Sequence, residues 1–265
     1  MPCLQKIQQS FRRSLKTYND NAFVQLEIAQ TLATMLSEQC AKQQFHQVLE
    51  IGCGTGFLSK ALIDKFSIKD FYLNDLVLEC EQELSIILDN YPKKRLEAWS
   101  FLAGDINQIS FENEFDLICS ASSLQWISDM PVLLKKIAQS SSAQAYLAFS
   151  SFAPAHFSEL RTLNEEFDHQ NQLLNYADEM QWRLILETEF DVLAIETQEI
   201  TLWFDSFEEL LRHLRNTGVN GNARQQWSQS QLRQFAELYQ TRFADNGRLP
   251  LTYAPIFVVA KKHSE

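Results

Sequence analysis

The sequence predicts one α/β domain with a mostly parallel sheet and helices on both faces. After 45 residues of helical pattern, short apolar runs alternate with helix-like segments of 9 to 13 residues. Strands that alternate with helices form right-handed βαβ units, which set parallel strands side by side. A chain of 265 residues with 45% hydrophobic residues can bury a core without a disulfide or a metal.

The elements follow from apolar periodicity, taken in chain order. In a helix over residues 21–36, the apolar residues on one face are predicted to be Phe23, Leu26, Ile28, Leu32 and Leu36. The next predicted strands are 47–51, 70–74, 98–102, 115–120 and 143–150, and the helices between them are 58–66, 78–90 and 130–139. The last part is predicted to contain helices 158–168 and 178–187, strand 195–204, a helical stretch interrupted by a loop at 216–222, and strand 251–260.

Charge and cysteine content exclude several classes of protein. A net charge of -11 argues against nonspecific nucleic-acid binding, which needs a basic face. No apolar segment long enough for a membrane span or a signal peptide is recognised, so we expect no membrane association. The five cysteines have neither metal-site nor disulfide-framework spacing, which predicts free thiols, no metal and a cytoplasmic location.

Three of the chain's seven glycines lie in one short loop, Gly52-Cys53-Gly54-Thr55-Gly56. The loop follows an apolar strand and opens a helix, so its backbone can turn sharply and approach a ligand closely. The G-x-G-x-G spacing differs from the G-x-G-x-x-G of a dinucleotide fold and from a Walker A loop. By itself the cluster is also compatible with a plain strand-to-helix turn.

Two acidic residues follow the next two strands. Asp75 ends the second strand, where a carboxylate can accept both hydroxyls of a ribose. Asp105 follows the third strand and can accept from an adenine amino group, with the backbone N–H of Ile106 near the adjacent ring nitrogen. Together with the glycine loop, these positions predict a site for an adenosine-bearing ligand.

These residues resemble the class I S-adenosylmethionine-dependent methyltransferases. Residues 50–56 look like the family's first motif, Asp75 like its ribose acid, Gly104-Asp105 like its adenine-side acid, and Phe115-Asp116-Leu117-Ile118 like its fourth-strand motif. The resemblance implies a Rossmann-like, seven-stranded, mostly parallel sheet with an antiparallel last strand and helical lid insertions. It implies no metal.

Further stretches resemble one subfamily, the malonyl-acyl carrier protein O-methyltransferases of biotin synthesis. They are Phe11 to Tyr18 with Asn21-Ala22-x-x-Gln25, the run 200–205, Gly218 in Arg215-Asn216-Thr217-Gly218, the ending 249–253, and Ser120 followed by Gln125-Trp126. Ala121 departs from the pattern, because relatives often carry Asn there. The resemblance then covers nearly the whole chain.

The resemblance implies a division of one methyltransferase domain. Residues 1–45 form a helical cover, 46–150 the cofactor-binding core, 151–175 and 205–248 helical lid insertions, and 176–204 with 249–265 complete the core. The cofactor residues it implies are Tyr18, Gln25, Glu50, Gly52, Cys53, Gly54, Gly56, Asp75, Leu76, Asp105, Ile106 and Ser120.

The implied reaction transfers a methyl group from S-adenosylmethionine to the free carboxylate of a malonyl thioester. Malonyl-acyl carrier protein and malonyl-coenzyme A both remain candidates for the acceptor. The carboxylate is already ionised at neutral pH, so no general base is required. Alternatives are another small carboxylate or lipid-like acceptor, or a catalytically silent protein that binds the cofactor or the carrier.

Several residues keep two interpretations. Tyr18 is either a polar contact near the methyl donor or an anchor for its helix, and Gln25 is either a ligand contact or a solvated helix position. Trp126 is expected to pack beside the adenine pocket or under the lid and to take no part in the chemistry, and Trp203 and Phe204 are expected to be core strand residues.

The insertion at 212–248 holds six arginines and only two acidic residues, a balance of 6 - 2 = +4. The arginines are either a solvated face or a docking surface for an acidic carrier protein. A third interpretation is that Arg212 or Arg215 clamps the substrate carboxylate.

Overall fold

The computed structural model describes residues 4–112, 114–127, 129–167, 174–218 and 228–263. Its strands are β1 Gln44–Ile51, β2 Ser67–Asp75, β3 Leu96–Ala103, β4 Phe115–Ser120, β5 Ser141–Phe152, β6 Phe190–Thr197, β7 Ile200–Phe204, β8 Leu249–Tyr253 and β9 Pro255–Lys262. Its α-helices are α1 Leu4–Asn21, α2 Phe23–Gln39, α3 Phe57–Lys65, α4 Cys80–Leu88, α5 Met130–Gln139, α6 Ser158–Phe167, α7 Glu179–Leu186, α8 Phe207–Asn216 and α9 Gln229–Phe243.

Seven of these strands form one sheet in the order β3-β2-β1-β4-β5-β9-β6. The pairs among β1 to β5 are all parallel, whereas β9 runs antiparallel to both β5 and β6. The predicted seven-stranded, mostly parallel sheet with an antiparallel last strand is therefore confirmed. The carboxyl ends of β1 to β4 meet at one edge of the sheet, where ligands of open α/β sheets bind.

Two buried clusters cover the two faces of the sheet. On one face, α2, α3 and α4 contribute Ile28, Leu62 and Leu84 to the first cluster. On the other face, α5 and α7 contribute Leu133 and Trp182 to the second. Burial of both faces explains why the central strands have continuous apolar runs in the sequence.

Most predicted elements lie within three residues of their observed bounds, and 115–120 and 130–139 match fully. The predicted strand 195–204 is wrong as one element, because the polar pair Gln198-Glu199 separates β6 from β7. The predicted strand 251–260 is also two strands, β8 and β9. Pro255 begins β9, a position that suits a residue with no N–H to donate. β7 and β8 pair with each other in a separate two-stranded sheet.

Two burial predictions are corrected as well. Phe23 is 53% exposed, because the buried stripe of α2 runs through Val24, Ile28, Leu32 and Leu36 at four-residue spacing. Trp203 is 39% exposed and is not a core residue, since side chains of β7 alternate and Leu202 and Phe204 face inward instead.

The loop predicted at 216–222 begins after α8, and its residues 219–222 lie outside the described part of the chain. Gly218 has a φ of 72°, and a Cβ there would lie 2.8 Å from Ser14 Oγ in α1. A glycine is therefore needed where the end of α8 meets α1. In the described ranges, no helix combines the length and the apolar character needed to cross a membrane.

Candidate active site

A cavity opens at the carboxyl ends of β1 to β4, between the sheet and α1. It encloses about 1140 Å³, counting the space at its mouth. The glycine loop after β1 forms its floor, and the segments after β2, β3 and β4 form the remaining strand-end walls. Its size suits an adenosine-bearing ligand.

The glycine loop is held by the end of β2. The N–H groups of Gly52 and Cys53 both donate to the carbonyl of Asn74, at 2.8 and 2.9 Å. The side chain of Asn74 in turn donates to the carbonyls of Leu102 and Gly104. Asn74 thus joins the ends of three strands, a role that sequence reasoning missed; a buried Asn at a strand end is the signal that could have found it.

Glycine is needed at each of the three loop positions for a different structural reason. A Cβ at Gly52 would lie 2.2 Å from Ser123 Oγ, and one at Gly56 would lie 2.9 Å from Leu84 Cδ2. A Cβ at Gly54, where φ is 52°, would meet no described atom within 4 Å. Protein packing therefore explains the first and third glycines, whereas Gly54 keeps space open in the cavity itself.

Asp75 anchors the loop from the end of β2. One carboxylate oxygen accepts from Gly54 N and the other from Val77 N, each at 2.8 Å. Burial raises the pKa of Asp75, and these backbone hydrogen bonds oppose the rise. The Leu76 N–H and the Cys80 thiol also hydrogen-bond this carboxylate.

Asp105 and Ile106 follow β3 on the same edge. Asp105 accepts from Asn107 N at 3.0 Å and so caps a short 3₁₀ helix, Ile106–Gln108. Lys136 of α5 donates to the carbonyls of Ile106 and Ile109, which ties this segment to α5. Asp105, Ile106 and Leu76 all line the cavity.

Glu50 lies at the base of the cavity and is 1% exposed. Ser59 donates to its carboxyl at 2.6 Å. Burial raises the pKa of Glu50 to about 8, so this carboxyl is largely protonated at neutral pH. Burial also raises the pKa of the Cys53 thiol beside it.

Helix α1 forms the wall opposite the strand ends. Tyr18 stacks on Phe57 with ring centroids 5.8 Å apart, and Gln8 donates to the carbonyl of Leu76 at 2.6 Å. Burial raises the pKa of Tyr18, so its phenol stays neutral. Tyr18 and Gln25 both line the cavity.

Gln25 is supported by polar residues from the far end of the sequence. Its side chain hydrogen-bonds the phenol of Tyr253, which lies 2.7 Å from His213 Nε2. Burial lowers the pKa of His213 to about 4, so this ring is neutral at neutral pH. The Oε1 atom of Gln25 has no hydrogen-bond partner among the described residues, which leaves an acceptor for a ligand.

Four sequence-predicted site residues lie outside the cavity wall. Ser120 is buried below it and donates to the carbonyl of Ile51 at 2.8 Å, and Gly56 packs behind the loop. Arg212 and Arg215 are exposed on α8. The other predicted site residues come together around the cavity.

The described lining of the cavity is acidic and includes no side-chain cation. Glu50, Asp75 and Asp105 line it, and none of the described lining residues is Lys, Arg or His. Among the described residues, no group of acidic, His or Cys side chains has the arrangement of a metal site. Such a cavity favours an uncharged or cationic organic ligand.

Comparisons with known proteins agree with this geometry. A family model described as a methyltransferase domain matches residues 21–194. The malonyl-acyl carrier protein O-methyltransferase of Chlorobium luteolum is 33% identical over 98% of this chain and 95% of its own length. The protein of the same name from Acinetobacter baylyi is 32% identical over 97% of this chain and 96% of its own length.

Solved structures share the fold at lower identity. A putative methyltransferase from Bacillus halodurans superposes with a TM-score of 0.61 at 14% identity, covering 87% of this chain and 97% of its own. The N-methyltransferase NodS of Bradyrhizobium japonicum, in complex with S-adenosyl-l-homocysteine, gives 0.55 at 16% identity, covering 97% of this chain and 98% of its own. The family model and the nearly full-length relatives confirm the resemblance seen in the sequence, and the chain belongs to the malonyl-acyl carrier protein O-methyltransferase family.

Proposed function

We propose that this chain transfers the methyl group of S-adenosylmethionine to the free carboxylate of malonyl-acyl carrier protein, forming a methyl ester early in biotin synthesis. The observation that carries the proposal is the cavity at the ends of β1 to β4, with its open Gly54 face and a lining that is acidic and without cations among the described residues. The names of the nearly full-length relatives supply the acceptor.

The residues present fit S-adenosylmethionine. At neutral pH this cofactor carries a sulfonium, an ammonium and one carboxylate, so it is a net cation. The carboxylates of Asp75 and Asp105 on the cavity wall favour such a ligand, whereas Glu50 is largely protonated and adds little charge. The unpartnered Oε1 of Gln25 offers an acceptor for the ammonium group, and the space beside Gly54 admits the ligand backbone.

The adenosine part matches the ends of β2 and β3. We assign the ribose hydroxyls to Asp75 and the adenine amino group to Asp105, with Leu76 and Ile106 flanking the base. Their shared position on the cavity wall supports these roles. We assign the methionyl part to residues at the end of β1 and in the glycine loop, namely Glu50, Gly52, Cys53 and Gly54. Tyr18 and Gln25 then close over it.

When bound, the cofactor supplies an activated methyl group on a sulfonium. The acceptor carboxylate is ionised at neutral pH, since its reference pKa is about 4, so the chain need not remove a proton. Its task is to align the carboxylate oxygen with the methyl carbon and to exclude water. The apolar side chains of Ile7, Phe11 and Leu15 in α1 line the cavity and serve the second task.

The cavity also suppresses competing nucleophiles. Burial raises the pKa of the Cys53 thiol and of the Tyr18 phenol, so both groups keep their protons. A neutral thiol or phenol attacks a methyl group far more slowly than its anion. The ionised acceptor is then the strongest nucleophile near the activated methyl group.

We expect malonyl-acyl carrier protein to gain one methyl group when incubated with this chain and labelled S-adenosylmethionine. Mass spectrometry of the carrier reads the change directly, as a gain of one CH₂. Acetyl-acyl carrier protein, which lacks the free carboxylate, is the control and should gain nothing. Methylation of another carboxylate or a lipid with no reaction on the malonyl thioester would replace the proposed acceptor.

A basic surface beside the cavity suits an acidic carrier protein. Helices α1 and α8 contact each other, and their exposed residues, the α1–α8 surface, include five cations, Lys6, Arg13, Lys16, Arg212 and Arg215, against the two acids Asp20 and Glu208. The arginines near α9 suit docking less well, because Arg233 pairs with Glu237 and Arg248 pairs with Asp205. Arg224 lies outside the described residues. We therefore assign docking to the α1–α8 surface.

Reversing Arg212 and Arg215 to Glu should raise the KM for malonyl-acyl carrier protein by about tenfold, because surface charges act on encounter. Turnover at saturation and the KM for malonyl-coenzyme A should change little. Raising the salt concentration should also raise this KM for the unaltered protein, since the Debye length falls from about 10 Å at 0.1 M to about 3 Å at 1 M.

A matched control reverses Lys69 and Lys94, two exposed lysines at the opposite edge of the sheet, and keeps the same total charge. If the Lys69 and Lys94 reversals raised the KM for malonyl-acyl carrier protein as much as the Arg212 and Arg215 reversals, the docking surface would be rejected. An equal rise for both malonyl substrates would instead favour the carboxylate clamp at Arg212 or Arg215.

The proposal treats the chain as one catalytic domain, since α2 contacts β5 and β9 of the main sheet and α8 contacts α1. We also infer a cytoplasmic location. Cys40, Cys53, Cys80 and Cys119 are free and buried, a state that suits a reducing compartment.

A further inference from the structure

The polar lining of the cavity differs between its two sides. Asp75 and Asp105, at the ends of β2 and β3, carry acidic side chains, whereas the Glu50 carboxyl at the end of β1 is largely protonated. The segment that follows β4, residues 121–127, carries no acidic side chain and lines the cavity with hydroxyls and one indole. An anionic group that enters the cavity is therefore repelled least at the end of β4.

Trp126 presents an unusual donor in this segment. The residue is 9% exposed, and its indole N–H has no hydrogen-bond partner among the described residues. Its ring packs edge-on against Phe11 of α1, with centroids 5.8 Å apart. A buried donor without an acceptor is costly, so a ligand group in the neighbouring cavity is a natural partner.

Ser122 supplies a second donor close by in the chain. Its φ is 52°, a left-handed conformation that is uncommon for residues other than glycine. Its N–H donates to Ser150 Oγ at 3.0 Å, and Gln125 donates to its carbonyl at 2.5 Å. Its own buried Oγ has no described partner. Such constrained backbone positions concentrate at functional sites.

We propose that the indole N–H of Trp126, assisted by the Ser122 hydroxyl, binds the carboxylate of the methyl acceptor. The assignment rests on the proposed function, since that function supplies a carboxylate acceptor. One carboxylate oxygen accepts these hydrogen bonds and the other is left free to attack the methyl carbon. The attacking oxygen forms a bond to carbon, and the methyl–sulfur bond breaks with its electron pair going to sulfur.

Neutral donors suit this position better than a cation would. A guanidinium in the cavity would repel a sulfonium cofactor and hold the nucleophile in a tight ion pair. Hydrogen bonds from an indole and a hydroxyl orient the carboxylate without neutralising its negative charge.

The test compares Trp126→Phe with Trp182→Phe. Trp182 is a matched control, because it is also buried with an unpartnered indole N–H but packs against Phe149 outside the cavity. Binding of malonyl-coenzyme A and acetyl-coenzyme A to the protein saturated with S-adenosylhomocysteine is measured by calorimetry. The unaltered protein should prefer the malonyl form, and Trp126→Phe should lose about tenfold or more of that preference.

Trp182→Phe should keep the full preference, and neither variant should change affinity for S-adenosylhomocysteine. Ser122→Ala should lose a smaller part of the preference. Undiminished preference in Trp126→Phe, or an equal loss in both tryptophan variants, would overturn the assignment. If the unaltered protein prefers the malonyl form yet transfers no methyl group, the carboxylate site stands and the proposed reaction fails.

Discussion

Gly54→Val is expected to abolish binding of S-adenosylmethionine while the chain still folds. A Cβ at position 54 meets no described protein atom within 4 Å, so the added methyl groups occupy cavity space and not the core. A clash with the ligand of about 3 kcal/mol or more corresponds to a loss of affinity of at least about a hundredfold. Calorimetric titration with S-adenosylmethionine measures it.

The valine also carries a backbone cost, because φ at Gly54 is 52° and a left-handed residue with a Cβ loses roughly 1–2 kcal/mol. Gly247→Val controls for this cost. Gly247 has a φ of 79° and equally open surroundings, but it lies in the exposed turn before β8. Both variants should unfold at similarly lowered temperatures, and only Gly54→Val should lose the ligand. Normal binding by a folded Gly54→Val protein would remove the loop from the site.

Asp75→Ala should weaken cofactor binding by about 30-fold to 900-fold. Two charge-assisted hydrogen bonds to ribose hydroxyls account for about 2–4 kcal/mol. The structure adds a second reason, since Asp75 also accepts from Gly54 N and Val77 N, and its loss frees the loop that contacts the ligand. Asp75→Asn keeps an acceptor oxygen, so its affinity for the cofactor should lie between those of the unaltered protein and Asp75→Ala.

Asp116→Ala is the matched control for Asp75→Ala. Asp116 also accepts from two backbone N–H groups, those of His46 and Gln47, but at the opposite edge of the sheet. Both variants should lose stability in urea unfolding, while only the change at Asp75 should alter affinity. If Asp116→Ala weakened cofactor binding as much as Asp75→Ala does, Asp75 would act through stability alone.

The local pattern of the sequence predicted the central sheet well. Strand β4 and helix α5 match their predicted bounds, because apolar periodicity reports burial directly. Errors occurred where one predicted strand spans a change of sheet. The runs 195–204 and 251–260 each divide between two sheets, and only their pairing partners reveal the division.

The cavity wall was predicted in part. Parallel strands bring their carboxyl ends to one edge, so Gly54, Asp75 and Asp105 could be placed together from the order of elements alone. The roles of Tyr253 and of Trp126 as a donor could not be predicted, because they depend on neighbours that are distant in the chain. Tyr253 supports Gln25 across more than two hundred residues of sequence.

The sequence by itself determined the class of fold, the edge of the sheet that carries the ligand, and the family. These depend on periodicity and short motifs, which are properties of neighbouring residues. Only the tertiary structure decided that Gly52 and Gly56 serve packing while Gly54 serves the cavity, and that Arg212 and Arg215 lie on the surface beside α1. Those facts depend on which atoms meet across the fold, and contact between distant segments leaves no local pattern in the chain.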